Sequence, residues 1–368
     1  MPHSRPFLSY ASRLIPLTFI NEKLPDYPME PTGRIDASRQ PEIKLDAYDK
    51  KILSYLADDG RRSYKEIAKK IRLSPDAVSY RVERLRNGNV IRRFIPDVSF
   101  RQFGLYKYSL FIELKELPQE KEDEFLAYLI RKEHVLSVIK YTDRFDLEVT
   151  IIATDATEYD TVATRIMNDY PDIIEDAETF QQIMSYKSVF LPDGYGDLPV
   201  KRIPQKKTVR PKIDRKDCVI LAELDKDARD SSITIAKKVG TSVDTVLYRM
   251  RRCEEQKTIN RYTALINLSQ LGFSWYTFLV NLKCMPKDKE SKLKEFVRGN
   301  PNILRCVRGL GQWDLIFYIV AEGQPAFHKV VSSIRTEFRD IIKDYDTLLA
   351  FQEYSFREYS PALARYVG

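Results

Sequence analysis

Apolar residues change their spacing twice within each half of the chain. Tyr48, Ile52, Leu53 and Leu56 recur at helical intervals, and so do Ile67, Ala68 and Ile71, which predicts two short amphipathic helices. The pattern then restarts. Val78, Val82 and Leu85 fall at i, i+4 and i+7, one face of a third helix. Ser74 stands ready to cap that helix, and Pro75 suits its first position, where the missing N–H is not needed. Beyond residue 88 the period becomes two. "NVIRRFIPDV" (89–98) and "YKYSLFIELKEL" (106–117) alternate as strands, "EDEFLAYLIRKE" (122–133) returns to a helix, and "VLSVIKYT" and "DLEVTIIAT" alternate again. "YDTVATRIMNDY" is helical and "AETFQQIMSYKSVF" closes the series as a strand. The order β-α-β-β-α-β predicts a ferredoxin-like domain, a four-stranded antiparallel sheet with two helices on one face.

The whole series occurs twice. "IAKKIRLSPDAVSYRVERL" from Ile67 is echoed by "IAKKVGTSVDTVLYRMRR" from Ile235, an offset of 168. Asp46, Asp49, Tyr80, Arg81 and Arg84 match Asp214, Asp217, Tyr248, Arg249 and Arg252 at that same offset. So do Gly104 with Gly272 and Asp146 with Asp314. A match sustained over about a hundred residues marks a duplicated unit rather than a shared local motif. The expected fold is α+β: two winged helix-turn-helix domains (44–100 and 212–267) alternating with two ferredoxin-like domains (101–191 and 268–368). Residues 192–211, rich in Pro and Lys/Arg, read as a linker. Residues 1–43, with seven prolines, read as a loosely ordered extension. The two ferredoxin-like domains, sister copies on one chain, are expected to pair with each other.

Composition narrows the setting. Of 368 residues 43% are hydrophobic and 31% charged, the balance of an ordinary globular protein. No apolar run is long enough to span a membrane. The four cysteines, all in the second half, form no C-x-x-C pair, so buried thiols in a reducing cytoplasm are expected rather than disulfides or zinc. Net charge is +7, unevenly spread. Residues 44–100 carry +6 and 212–262 carry +3, against −10 for 101–198. The basic segments hold the three-helix modules, which points to a polyanionic partner.

A third helix so built can enter a major groove, its first turns against base edges and flanking Arg side chains against phosphates. The candidate double-stranded DNA contacts are Pro75, Asp76, Ser79, Tyr80, Arg81, Glu83 and Arg84, with Arg92 and Arg93 on the wing. In the second copy they are Val243, Asp244, Leu247, Tyr248, Arg249, Arg251 and Arg252. The alternative is a protein-interaction module with a solvated basic face.

The combined pattern resembles the leucine-responsive/asparagine-operon (Lrp/AsnC) regulators. The pieces are "KLDAYDKKIL" and "KIDRKDCVIL", "VIRRFIPDV" and "TINRYTALI", then "DRFD" (143–146) and "GQWD" (311–314). The resemblance spans 44–191 and 212–360 and implies a transcription regulator. In that family the C-terminal halves pair by their sheets, bind an amino acid or similar metabolite, and assemble into larger homo-oligomers. Carried onto this chain, Gly311, Gln312, Trp313 and Asp314 are the effector-loop candidates. Asp143 replaces the loop glycine in the first copy, and an added negative charge suits a carboxylate ligand badly, so at most one effector per chain is expected. Two other readings remain: an effector-free architectural DNA binder, and an enzyme of the siroheme-decarboxylase kind, which resembles the same family. The latter depends on histidine and arginine around a tetrapyrrole, and here only His3, His134 and His328 exist. No enzyme activity, cofactor or metal is expected.

Overall fold

A computed structural model describes residues 31–39, 41, 43–196 and 213–367. The first unit runs α1 (Ala47–Asp58), α2 (Tyr64–Ile71), α3 (Pro75–Asn87), β1 (Ile91–Val98), β2 (Tyr106–Leu114), α4 (Gln119–Arg131), β3 (Val135–Tyr141), β4 (Leu147–Ala153), α5 (Ala156–Asp169) and β5 (Ile174–Ser188). The second repeats it: α6 (Arg215–Lys226), α7 (Ser232–Val239), α8 (Val243–Glu255), β6 (Ile259–Ile266), β7 (Ser274–Leu282), α9 (Lys287–Gly299), β8 (Ile303–Gly311), β9 (Leu315–Ala321), α10 (Gln324–Phe338) and β10 (Ile342–Phe356). Among the described residues no helix is long and apolar enough to cross a membrane. Cys218, Cys253 and Cys306 are buried as expected, but Cys284 is exposed.

Each ferredoxin-like unit forms the expected four-stranded antiparallel sheet, in the order β3-β4-β2-β5 and β8-β9-β7-β10. The two then join edge to edge, β5 with β8 and β10 with β3, into a closed eight-stranded barrel. The pairing expected between sister domains is therefore direct strand pairing. Inside the barrel the buried Glu148 carboxylate accepts from Ser109 Oγ (2.8 Å), Tyr141 Oη (2.7 Å) and Tyr318 Oη (2.6 Å). Tyr141 Oη also meets Thr277 Oγ1 at 2.8 Å. Burial, with Glu148 second, pushes both tyrosine hydroxyls well above their ordinary range. The network ties one sheet to the other where an unpaired polar group would be costly.

The wing departs from expectation. Among the described residues no hairpin forms within either module. Instead β1 pairs antiparallel with β6, the equivalent strand of the sister unit. A lone strand cannot satisfy its own backbone groups, and duplication supplies the partner. The modules are also crossed: α1 lies against β6 and α6 against β1.

The extension is a second correction. Residues 1–30 lie outside the described residues, as does most of the linker, but 31–39 are built into the core. Gly33 N donates to Glu353 O (3.0 Å), Glu353 N to Ile35 O (3.0 Å) and Ala37 N to Phe351 O (2.9 Å), so the segment adds to β10 as a short strand. Ile35 and Asp36 are each 1% exposed. The Arg34 guanidinium forks onto the buried Glu353 carboxylate at 2.7 and 3.0 Å and lies over Trp275 and Phe356. Arg34→Ala would strand that carboxylate, and breaking a buried pair costs roughly 3–5 kcal/mol. Urea titration of R34A should show that loss, and R34M/E353L should recover most of it. Unchanged stability of R34A would refute the anchoring role.

Candidate nucleic-acid interface

The helix-turn-helix cores form as the apolar spacing predicts. Val78, Val82 and Leu85 are buried in α3, and Val246, Met250 and Cys253 in α8. Ser74 Oγ accepts from Ala77 N at 3.1 Å and Ser242 Oγ from Thr245 N at 3.2 Å, capping both helices. What faces outward is the band between. Tyr80 is 72% exposed and Tyr248 63%, with Leu247 at 47%. Pro75, Asp76, Glu83, Asp244 and Arg251 are exposed, while Ser79 and Val243 are half-buried.

Four of the candidate arginines turn inward. Asp49 is fully buried, and its carboxylate receives Arg81 Nη1 at 2.8 Å and Arg84 Nη2. Asp217 holds Arg249 Nη1 at 2.9 Å and Arg252 Nη2 in the same way. Arg81 and Arg249 also reach Asp46 and Asp214, at 2.8 and 2.7 Å. For Asp46 and Asp214 burial pulls the pKa up, but backbone N–H donors and the arginine outweigh it and hold both carboxyls below their usual range. These clamps fix the third helix against the first in each module. A buried carboxylate must be answered, and that demand ties these four guanidinium groups to acids within their own module.

Arg92 and Arg93 are corrected too. Arg92 donates to Gly33 O and Asn89 Oδ1, at 3.2 and 2.7 Å, beneath the 31–39 segment. Arg93 Nη2 bonds Phe356 O at 2.5 Å, with Asp225 at 3.8 Å. Both sit inside the joint between units, because the wing strand is covered by its sister.

Besides Arg251, most of the exposed cations lie one helix earlier. Lys65, Lys69, Lys70 and Arg72 in the first module, and Lys237 in the second, are exposed beside the recognition helices. The repeated "IAKK" is the signal that could have found them. Arg72 occupies the turn with φ 58°, where the sister residue is Gly240 at φ 69°. A non-glycine there is uncommon, and this one places a cation at the turn.

A reciprocal brace sets the two modules relative to each other. Arg229 Nη1 donates to Gly60 O (2.7 Å) and Arg62 O (3.2 Å), while Arg61 Nη1 donates to Ala228 O and Asp230 O. Arg86 reaches Asp227 at 2.9 Å. Since Arg61 and Arg229 are 168 apart, the brace obeys the pseudo-two-fold of the duplication.

The loop at Gly311 is built for packing. Gly311 has φ 141°, and a Cβ there would stand 2.0 Å from Thr179 O on the sister strand β5. Trp313 is buried, Asp314 Oδ2 accepts from Leu282 N at 2.7 Å, and Gln312 alone of the four presents an exposed side chain. In the first copy Asp146 Oδ2 accepts from Leu114 N in the same way, and Phe145 is buried. Gly311→Ala should therefore destabilise the chain, by roughly 1–3 kcal/mol for forced overpacking. A melting curve of G311A that overlays the parent would show that the glycine serves something other than this close approach.

The AsnC-type helix-turn-helix domain matches twice, over residues 45–86 and 213–254. The leucine-responsive regulatory protein of Rhizobium meliloti (strain 1021) is 33% identical over 127 residues, 33% of this chain and 80% of that protein. Its namesake in Escherichia coli (strain K12) is 32% identical over 130 residues, 35% of this chain and 79% of that protein. Among solved structures the siroheme decarboxylase NirDL has the same layout, with a TM-score of 0.54 at 14% identity over 87% of this chain and 97% of that one.

Proposed function

The chain belongs to the Lrp/AsnC family of regulators, in tandem-duplicated form, and from that we propose that it is a sequence-specific DNA-binding transcriptional regulator reading two dissimilar half-sites. The reading rests on the braced pair of exposed recognition faces. A homodimer presents two identical helices and so reads a palindrome. Here the matched positions have diverged: Pro75 against Val243, Ser79 against Leu247, Glu83 against Arg251. Tyr80 and Tyr248 are kept and exposed. Lys65, Lys69, Lys70, Arg72 and Lys237 are assigned to phosphates.

We assign no effector to the Gly311–Asp314 loop. Its glycine is explained by the sister strand and its aspartate by a backbone cap, which favours a regulator that acts without an amino-acid effector at this loop. Calorimetric titration of the twenty amino acids should give no heat of binding; saturable heat from one of them would restore the responsive reading. We infer no catalysis either, since a 14%-identical fold neighbour carries no chemistry to this chain. A Soret shift on adding an iron porphyrin would reverse that inference.

Affinity for DNA should fall steeply between about 50 and 200 mM salt, as condensed counterions are released. Arg72→Gly is a clean probe, because glycine is at ease at a left-handed turn. R72G should keep its melting temperature while its salt slope drops by about one. A flat salt response of the parent, or an R72G slope equal to it, would contradict the assignment.

A further inference from the structure

The recognition helices α3 and α8 have the same length, 13 residues, and bury the same three positions: Val78, Val82 and Leu85, matched by Val246, Met250 and Cys253. Opposite that core face, at i, i+4 and i+7, lie Asp76, Tyr80 and Glu83 in the first unit and Asp244, Tyr248 and Arg251 in the second. All six are exposed. Seven residues rise about 10 Å along a helix, so each stripe fits a major groove about 12 Å wide. Two of the three positions carry the same residue in both units. The third inverts its charge.

Among the described residues, neither Glu83 nor Arg251 makes a side-chain hydrogen bond or ion pair. The arginines nearest Glu83 in sequence are held elsewhere, Arg81 and Arg84 by Asp49 and Arg86 by Asp227. Asp76 and Asp244 stand in the first helical turn, where the helix's own N–H groups favour a carboxylate. Glu83, two turns later, lacks that support. A carboxylate on a face that meets a polyanion is repelled by phosphates unless it finds a donor. The donors in the major groove are the exocyclic amines of cytosine and adenine. Adenine sets the acceptor N7 beside its amine, which opposes the second carboxylate oxygen, so cytosine N4 suits Glu83 better. Arg251 has only donors to offer, and guanine presents two acceptors side by side, O6 and N7. The other divergent positions discriminate less: Ser79, half-buried at the edge of the stripe, both donates and accepts, and Pro75 and Val243 carry no polar group.

We infer that Glu83 and Arg251 are the specificity-determining pair that makes the two half-sites differ: Glu83 selects cytosine by accepting from its N4 amine, and Arg251 selects guanine at the matched position of the other half by donating to O6 and N7. Each base is counted in the frame of its own half-site, so a palindrome would carry the same base at both places. This inference rests on the reading of the chain as a two-headed, sequence-specific DNA binder. The shared Asp76, Asp244, Tyr80 and Tyr248 give the halves what they have in common, and the charge inversion sets one base pair apart.

The test selects random duplexes on the full chain and on its Glu83→Arg, Glu83→Gln and Arg251→Glu variants, and sequences the bound pools. The parent motif should hold cytosine in one half and guanine at the matched position of the other. E83R should turn the cytosine to guanine, R251E the guanine to cytosine, and E83Q the cytosine to adenine, which glutamine meets at N6 and N7. Reversing the first half's C·G pair should cost the parent roughly tenfold in affinity, and E83R should prefer the reversed site. Base identity is the readout, because added or lost charge alone moves affinity for all sequences together. Each variant should melt like the parent, since neither side chain holds a bond; the nearly isosteric E83Q carries the test if E83R does not. A bipartite parent motif whose matched positions stay unchanged in E83R, E83Q and R251E, or whose changes fall elsewhere, would overturn the assignment and leave the two-headed reading standing. No preferred sequence for the parent would overturn both.

Discussion

A ferredoxin-like sheet has two open edges, and each is a row of N–H and C=O groups that must find partners. In this chain the sister sheet supplies them. β5 and β10 are each 15 residues long, more than their own sheets use. The first half of each pairs inside its unit, with β2 or β7, and the second half crosses to β8 or β3. Closure into a barrel follows, and the rest is mounted on it. β1 and β6 pair across the joint, each first helix rests on the opposite unit's strand, and Arg61 and Arg229 exchange contacts with the opposite module's carbonyls. Two recognition helices on one chain thus acquire the fixed relation that a homodimer gets from two chains.

What the sequence revealed follows from the range of the interactions. Helix faces and strand alternation are local, so Val78, Val82, Leu85 and the Ser74 cap were legible. The 168-residue offset made the pairing of sister domains legible as well. The arginine clamps were not, because Asp49 and Arg84 lie 35 positions apart and a basic helix flank looks the same whether its cations face phosphate or a buried acid. The D-x-x-D and R-x-x-R elements recurring together in both copies were the available hint. Arg92 and Arg93 were misplaced because strand alternation does not say what covers the outer face. Residues 31–39 read as coil since their strand partner lies more than 300 residues away. Gly311 was given to a ligand because glycine permits close approach of any group, and here the group is Thr179 O.

Duplication also frees each copy from matching the other. The first unit spends an arginine at a left-handed turn where the second has Gly240, and the two recognition helices present different side chains around a common tyrosine. A fused, braced pair tolerates such drift, because its interface need not be self-complementary. The central claim is that rigid coupling of two unlike reading heads sets what DNA the protein prefers. Selection of random duplexes on the intact purified chain, followed by sequencing of the bound pool, tests this most directly. The account predicts one bipartite motif with dissimilar halves at a single spacing. A palindrome, a lone half-site, or halves at freely varying spacing would contradict it.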